Sequence, residues 1–289
     1  MTNSLNSSGL GLKLRRRVHG LITSTRATSS AHRLLRQTTI RQRSEFDNVY
    51  YCCLQKSGSQ WLRWVLGDPI VYRGSGLDVK PVSIFGLNTV KSLEAFPHRT
   101  IVAHLYVNYE TYSTIPKAGT FRTFFVGRDP RDAVVSWYHG VRFSNMRYSA
   151  DELGPTLEGF DEQAGMRYVI ERLAGWGYFD AARSWALSGS QDPLVLMTTY
   201  EKLTTEPEVH LKKLLDWMDV SVSDNSLRAL IAKHRFTAYA NGRSPGEENV
   251  ESHYRRGVAG DWKNHFDEVT LDYFYDVTAD LVSLLGYDR

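Results

Sequence analysis

Asn48-Val-Tyr-Tyr-Cys-Cys-Leu-Gln-Lys-Ser-Gly-Ser-Gln-Trp-Leu-Arg-Trp-Val-Leu66 changes its pattern partway along. Asn48–Leu54 is a short apolar, aromatic run of the kind that forms a buried strand. The polar, glycine-containing Gln55–Ser59 ends it. Trp61, Leu62, Val65 and Leu66 then recur at helical spacing, so a strand, a loop and a helix follow one another directly. The same alternation continues downstream. Phe121–Gly127 reads as a second buried strand, and Asp129 and Pro130 have the chemistry of an N-cap and first residue of a helix carrying Val134, Val135, Trp137 and Tyr138. Leu194–Thr199 reads as a third strand. A helix after Pro207 places Leu211, Leu214, Leu215 and Met218 on one face, and Val269 to Leu285 is helical in period. Short apolar strands between amphipathic helices imply an α/β fold, a central parallel sheet flanked by helices on both faces. Ligands in such sheets sit at the carboxyl ends of the strands, where Lys56 and Arg128 fall.

The 289 residues fit one large α/β domain with an extension. Hydrophobic residues at 42% and charged residues at 23% exclude a wholly disordered chain, a collagen and a coiled-coil rod. No uninterrupted apolar run is long enough to span a membrane. Two adjacent cysteines, Cys52 and Cys53, cannot build a disulfide framework and point to a reducing, cytoplasmic setting.

The net charge of +3 hides an asymmetry. Residues 1–44 hold nine of the 35 Lys and Arg and none of the 32 Asp and Glu. The expected division is therefore a basic, Ser/Arg-rich extension at 1–44 and a net-acidic domain at 45–289. Leu10, Leu14, Val18 and Leu21 recur at helical spacing among basic residues, which fits peripheral contact with an anionic membrane, an organelle-targeting segment or a solvated tail. A net-acidic body is a poor binder of nucleic acid. A nucleotide bound there would have to be held by a few placed cations.

Three stretches supply such cations. In Gln55–Trp61, a loop of small residues runs into a helix N-terminus whose outward N–H groups favour an anion, with Lys56 as a mobile cation and Ser57 and Ser59 as donors. An ordinary turn with a solvated lysine has the same composition. The lysine precedes Gly58 and the leading glycine is absent, so this is not G-x-x-x-x-G-K-[ST]. In Arg128–Ser136, an arginine at a strand end and a hydroxyl two helical turns on could grip one phosphate, unless Arg128 pairs with Asp129 or Asp132. In Arg255–Phe266 (RRGVAGDWKNHF), two arginines precede a glycine that lets backbone approach a ligand, and Gly-Asp-Trp-Lys closes a turn onto a helix start.

In this order the three stretches resemble the cytosolic-type sulfotransferases that use 3′-phosphoadenosine 5′-phosphosulfate. That family has a P-K-S-G-T-T-W-like loop, an R-N/D-P-x-D-x-x-x-S segment and a C-terminal R-K-G-x-x-G-D-W-K-N-x-F. The resemblance spans about residues 48–266. It implies a single P-loop-like domain related to nucleotide kinases. It also implies that Lys56, Ser57, Gly58, Ser59, Gln60 and Trp61 hold the 5′-phosphosulfate, with Trp61 also against the adenine. Arg128 and Ser136 would bind the 3′-phosphate, Tyr200 and Phe236 would contact the base, and Arg255, Arg256 and Gly257 would close over the 3′-phosphate. From composition alone Trp61, Tyr200 and Phe236 serve equally well as core.

Ala103-His104-Leu105 matches the family's T-H-L-like catalytic segment, with Val102 and Ala103 replacing its lysine and threonine. The resemblance makes His104 the general base, and Glu110 is the carboxylate alternative. Gln55 replaces the usual proline and Gln60 the second threonine. His234 and Arg235 replace small hydroxyl residues, and Asp267 and Glu268 stand where an apolar dimer motif begins in many relatives. The expected reaction is in-line sulfuryl transfer to a hydroxyl or amine of a small-molecule, lipid or glycan acceptor. Lys56 would stabilise the leaving oxygen, and no metal is expected. The alternatives are a P-loop-type kinase and a catalytically silent nucleotide-binding or membrane-surface protein.

Overall fold

The computed structural model describes residues 40–81, 94–143 and 157–289. The amphipathic pattern at Leu10–Leu21 and most of the basic extension lie outside the described residues, and so does its proposed membrane contact.

Strand β1 (Asn48–Cys53) is entirely buried. It pairs in parallel with β3 (Thr100–Leu105) on one side and β4 (Phe121–Gly127) on the other. The short β2 (Asp78–Pro81) edges β3, and β5 (Val195–Thr199) edges β4. The order is β2-β3-β1-β4-β5. The chain crosses from one half of the sheet to the other between β3 and β4. Lys56 lies three residues beyond the end of β1 and Arg128 directly follows β4, the two strands that flank the resulting crevice.

Burial on both faces explains the run of apolar residues in β1, because successive side chains point to opposite sides. Tyr50 and Cys52 join a core beneath α4 (Pro130–Arg142), α5 (Glu162–Gly175) and α6 (Tyr178–Leu187). Val49, Tyr51 and Cys53 join a second core beneath α1 (Ser59–Leu66), α2 (Pro69–Ser75), α8 (Pro207–Trp217) and α9 (Asp224–Lys233). The remaining helices are α3 (Tyr109–Thr114), α7 (Tyr200–Thr205), α10 (Phe236–Tyr239), α11 (Glu268–Thr278) and α12 (Leu281–Leu284). Asn48 sets the β1–β3 register: its side-chain oxygen accepts from Thr100 N at 3.2 Å and Thr100 Oγ1 at 3.1 Å.

The expected strand at Phe121–Gly127 is present, and the Asp129 side chain caps α4 with Pro130 in its first turn. The single C-terminal helix expected from Val269 to Leu285 is instead two, α11 and α12. Ala279 breaks it with a left-handed φ of 54°, and neither glycine nor proline marks that break. No helix among the described residues is long and apolar enough to cross a membrane.

Residues 41–44 lie against the domain. Arg41 N donates to Arg73 O at 2.9 Å, and Ser44 Oγ donates to Met218 O at 2.9 Å. A buried carbonyl left without its donor costs about 1–3 kcal/mol. A chain starting at Ile40 should therefore exceed the stability of one starting at Glu45 by about 1–3 kcal/mol. Urea unfolding of both truncations checks this; equal midpoints would mean these bonds contribute nothing.

Candidate functional site

Beyond β1 the backbone turns sharply. Lys56 and Gly58 both take left-handed φ values, 69° and 75°. At Gly58 a Cβ would also stand 2.6 Å from the Tyr200 ring, so glycine is required on two counts. The turn is fixed from below. Ser57 Oγ donates to Leu54 O at 2.6 Å, and Ser59 Oγ shares a 2.7 Å hydrogen bond with the Tyr106 hydroxyl. No side chain caps α1, so its first N–H groups are not taken by an N-cap.

This loop forms part of the wall of a cavity of about 1100 Å³. Arg128, at the end of β4, reaches across to it: Nη1 donates to Lys56 O at 2.7 Å, and the guanidinium lies 4.7 Å from the centre of the Tyr200 ring. Its Nε is buried with no hydrogen-bond partner among the described residues. Loss of hydration, then the Arg128 and Arg255 charges, lower the pKa of Lys56 to about 8. The cavity therefore carries concentrated positive charge.

The third motif arrives from the C-terminal side, and carboxylates hold it. Asp132, in the first turn of α4, accepts from Gly260 N at 2.7 Å and Trp262 N at 2.9 Å. Asp261, also buried, binds the guanidinium groups of both Arg255 and Arg256. Burial raises the Asp261 carboxyl, but hydrogen bonds from His265, Asn264 and Arg255 outweigh that and hold it well below the usual carboxylate range. Arg128 makes no ion pair with Asp129 or Asp132 among the described residues: Asp129 engages Arg131 at 2.7 Å and Asp132 the loop backbone. Gly257 has φ 68°, and a Cβ there would stand 2.4 Å from Phe236.

Gly58, Ser59, Gln60, Trp61, Ser136, Tyr200, Phe236, Arg256 and Gly257 join Lys56, Arg128 and Arg255 in the cavity wall. Trp61 is steered by its Nε1 donating to His234 O at 2.7 Å. Two expected residues are not in the wall. Ser57 points into the protein, and His104 is buried on β3, with the Tyr106 ring 4.6 Å away, centroid to centroid, on the cavity side. Burial, then the Arg63 charge, lower the His104 pKa to about 4. Glu110 is exposed on α3, also outside the wall.

The wall also contains residues that no motif marked. Tyr106, Trp137, Leu173, Trp176 and Tyr178 line one apolar part, and Pro245, His253 and Tyr254 another. Trp137 follows Ser136 directly, Tyr106 follows the Ala103–Leu105 segment and Tyr254 precedes Arg255, signals that were available; Leu173, Trp176, Tyr178 and Pro245 sit in segments without a recognisable pattern. His139, Glu162 and His265 also lie together, with ligand atoms within 4.8 Å of one another, and His265 Nδ1 meets Glu162 Oε1 at 2.6 Å.

A family described as the sulfotransferase domain matches residues 33–286. Sulfotransferase 6B1 of Danio rerio is 28% identical over 234 residues, 77% of this chain and 74% of its own length. Sulfotransferase 2B1 of Rattus norvegicus is 23% identical over 253 residues, 80% of this chain and 69% of its own. Among solved structures, mouse sulfotransferase SULT7A1 complexed with PAP superposes with a TM-score of 0.60 at 20% identity, covering 88% of this chain and 92% of that one. Retinol dehydratase in a complex with retinol and PAP gives 0.53 at 16%, covering 86% and 84%. These two structures share the fold.

Asp132 is the tie between α4 and the third motif. Asp132→Ala removes two charge-assisted hydrogen bonds and leaves two N–H groups without a partner, so unfolding free energy should fall by about 3 kcal/mol. Urea denaturation measures this, and a loss below about 1 kcal/mol would show that the loop is held by other contacts.

Proposed function

The chain belongs to the sulfotransferase domain family, and from that membership we propose that its cavity takes 3′-phosphoadenosine 5′-phosphosulfate and transfers the sulfuryl group to an acceptor hydroxyl or amine. The observation that carries this is the convergence of Lys56, Arg128 and Arg255 on one cavity wall. Burial, and then repulsion from the two arginines, lower the Lys56 pKa to about 8, and Arg128 Nε is left without a partner among the described residues. A bound polyanion would relieve both.

Lys56 and the N–H groups of the 56–61 turn would hold the 5′-phosphosulfate. Arg128, Ser136, Arg255, Arg256 and Gly257 would hold the 3′-phosphate, and Trp61, Tyr200 and Phe236 the base. The acceptor oxygen attacks sulfur in line, opposite the bridging phosphate oxygen, and Lys56 stabilises the charge that develops there. The resemblance assigns the acceptor proton to His104, which in this structure is buried next to Tyr106 and outside the cavity wall. The transferred group carries a single negative charge, which lessens the need for a divalent cation. The absent Walker A spacing weighs against a kinase.

For the acceptor we propose a small molecule with an apolar, flat body, because Tyr106, Trp137, Leu173, Trp176 and Tyr178 supply aromatic and aliphatic wall. Cys52 and Cys53 are free and buried, which supports the cytoplasmic reading.

If several cations read the 3′-phosphate, the protein should bind 3′-phosphoadenosine 5′-phosphate well over tenfold more tightly than ADP without Mg²⁺, since each charge-assisted bond is worth roughly 1.5–3 kcal/mol. Arg128→Ala should remove most of that preference. Titration calorimetry reads both; equal affinities for the two nucleotides in the wild-type protein would refute the assignment.

Lys56 also predicts a pH dependence. Below pH 8 it is protonated with or without ligand, so affinity for the 3′,5′-bisphosphate should be level. An adjacent phosphate raises the lysine pKa, so above about 8 binding must take up a proton and affinity should fall, by at most tenfold per pH unit. Lys56→Ala should flatten this limb. A wild-type affinity unchanged from pH 7.5 to 9.5 would remove Lys56 from the phosphate site.

A further inference from the structure

Three side chains converge where α4, the start of α5 and the third motif meet. His139 lies on α4, three residues beyond Ser136. Glu162 is the first residue of α5. His265 directly follows the Asp261–Asn264 turn. One ligand atom from each lies within 4.8 Å of those of the other two. None of the three belongs to the cavity wall, so they stand apart from the site proposed for the nucleotide.

Packing alone does not account for His139. It is only 7% exposed, yet neither ring nitrogen has a hydrogen-bond partner among the described residues. A buried polar group left unpaired is costly, and phenylalanine would fill the same space without that cost. The His139 ring stands edge-on to the His265 ring, with centroids 4.9 Å apart. Burial, then the Arg255 and His265 charges, lower its pKa to about 3. The imidazole is therefore neutral, which is the form that ligates metals.

The other two groups are arranged to share a ligand with it. His265 Nδ1 meets Glu162 Oε1 at 2.6 Å, and its Nε2 lies 3.4 Å from Asp261 Oδ2. A histidine that binds a metal commonly donates its second ring N–H to a carboxylate, which fixes the tautomer and the ring direction. Asp261 stands where that acceptor belongs. The backbone is held as well, because Gln163 Nε2 donates to His265 O at 2.7 Å. The nearest opposing charge is Arg255, whose Nη1 is 3.5 Å from His265 Nε2. Glu248 and Asp261 already pair with that guanidinium.

We propose that His139, Glu162 and His265 form a binding site for one zinc ion. Two imidazoles and a carboxylate suit zinc, whereas magnesium and calcium prefer oxygen ligands alone. Zinc bonds of about 2.0–2.2 Å in a tetrahedral arrangement set ligand atoms roughly 3.4 Å apart. Binding therefore eases Glu162 away from His265 and draws both toward His139. The Glu162 side chain is half exposed and free to make that move. The proton shared by His265 and Glu162 leaves as the ion enters, and water takes the fourth position. Sulfuryl transfer needs no ion at this place. The zinc acts as a clasp that joins α4 and α5 to the loop carrying Arg255 and Arg256.

The test titrates zinc into the full-length protein by calorimetry, after EDTA treatment and removal of the EDTA, with no nucleotide present. Wild-type protein, His139→Phe and Glu162→Gln are compared, and thermal unfolding establishes that each is folded. Wild-type protein should bind one zinc per chain that each variant weakens by at least about 100-fold, since outer partners alone are worth 10–100-fold. Hydrogen exchange at the amides of residues 261–266 should slow with zinc in the wild type and in neither variant. Should His139→Phe not fold, Glu162→Gln, a change at an exposed carboxylate, carries the comparison. Zinc that binds wild type and Glu162→Gln equally, or leaves the 261–266 amides unchanged, sits elsewhere and overturns the proposal; so does a wild type that binds none. Neither readout uses donor or acceptor, so such a result leaves the sulfotransferase reading in place.

Discussion

Like charges held together in one place are the constraint around which this structure is arranged. Lys56, Arg128 and Arg255 come from three distant parts of the chain and are close enough to depress the lysine's pKa. Nothing local favours that meeting. Two adjacent parallel strands bring the first two together, because β1 and β4 end side by side at the point where the chain changes direction across the sheet. The third is held by carboxylates that grip it from outside the cavity. Asp132 fastens the backbone at Gly260 and Trp262, and Asp261 binds both arginine side chains. The domain is net acidic by sequence, yet these acids stand behind the cations, and neither contributes to the cavity wall.

The same logic runs through the neighbouring supports. Glu201 accepts from Asp129 N at 3.0 Å and from the Tyr287 hydroxyl at 2.8 Å, which joins the start of α4, the start of α7 and the C-terminus. Arg131 bonds Asp129 and lies 3.9 Å over the Trp262 ring. α4 therefore carries Ser136 toward the cavity on one side and anchors the third motif on the other. The cavity is tied by hydrogen bonds where phosphates are proposed to bind and built from side-chain surface, aromatic above all, where an acceptor would lie.

The sequence made the cationic side of the cavity legible because chemistry and punctuation coincide there. Lys56 next to Gly58, Arg128 before a capped helix and Arg255-Arg256-Gly257 each pair a cation with a backbone signal. Twelve of the fourteen expected site residues meet in one wall for that reason. His104 and Ser57 were placed by motif position, and position along a strand or loop does not report which way a side chain turns. His104 sits buried on β3 outside the cavity wall, while the neighbouring Tyr106 is part of that wall. The apolar wall was illegible: Tyr106, Leu173, Trp176 and Tyr178 have no shared spacing, and only the fold assembles them. β2 and β3 escaped notice because one is a short exposed edge ending in proline and the other contains a histidine amid its apolar residues. No glycine or proline announces the break at Ala279.

Two glycines press against two aromatic rings at this site, Gly58 against Tyr200 and Gly257 against Phe236, each with no room for a single added carbon. Each pair therefore behaves as one unit of heredity. Enlarging the glycine demands that the ring retreat at the same step, and the positive φ at each glycine penalises the change even then. Shrinking a ring first is open to the chain, but it removes a surface proposed to hold the base. Neutral drift can thus reshape the aromatic wall at Tyr106, Trp137, Trp176 and Tyr178 far more freely than it can these four positions. Descendants of this chain would diverge in what they modify long before they diverged in what they draw the modifying group from.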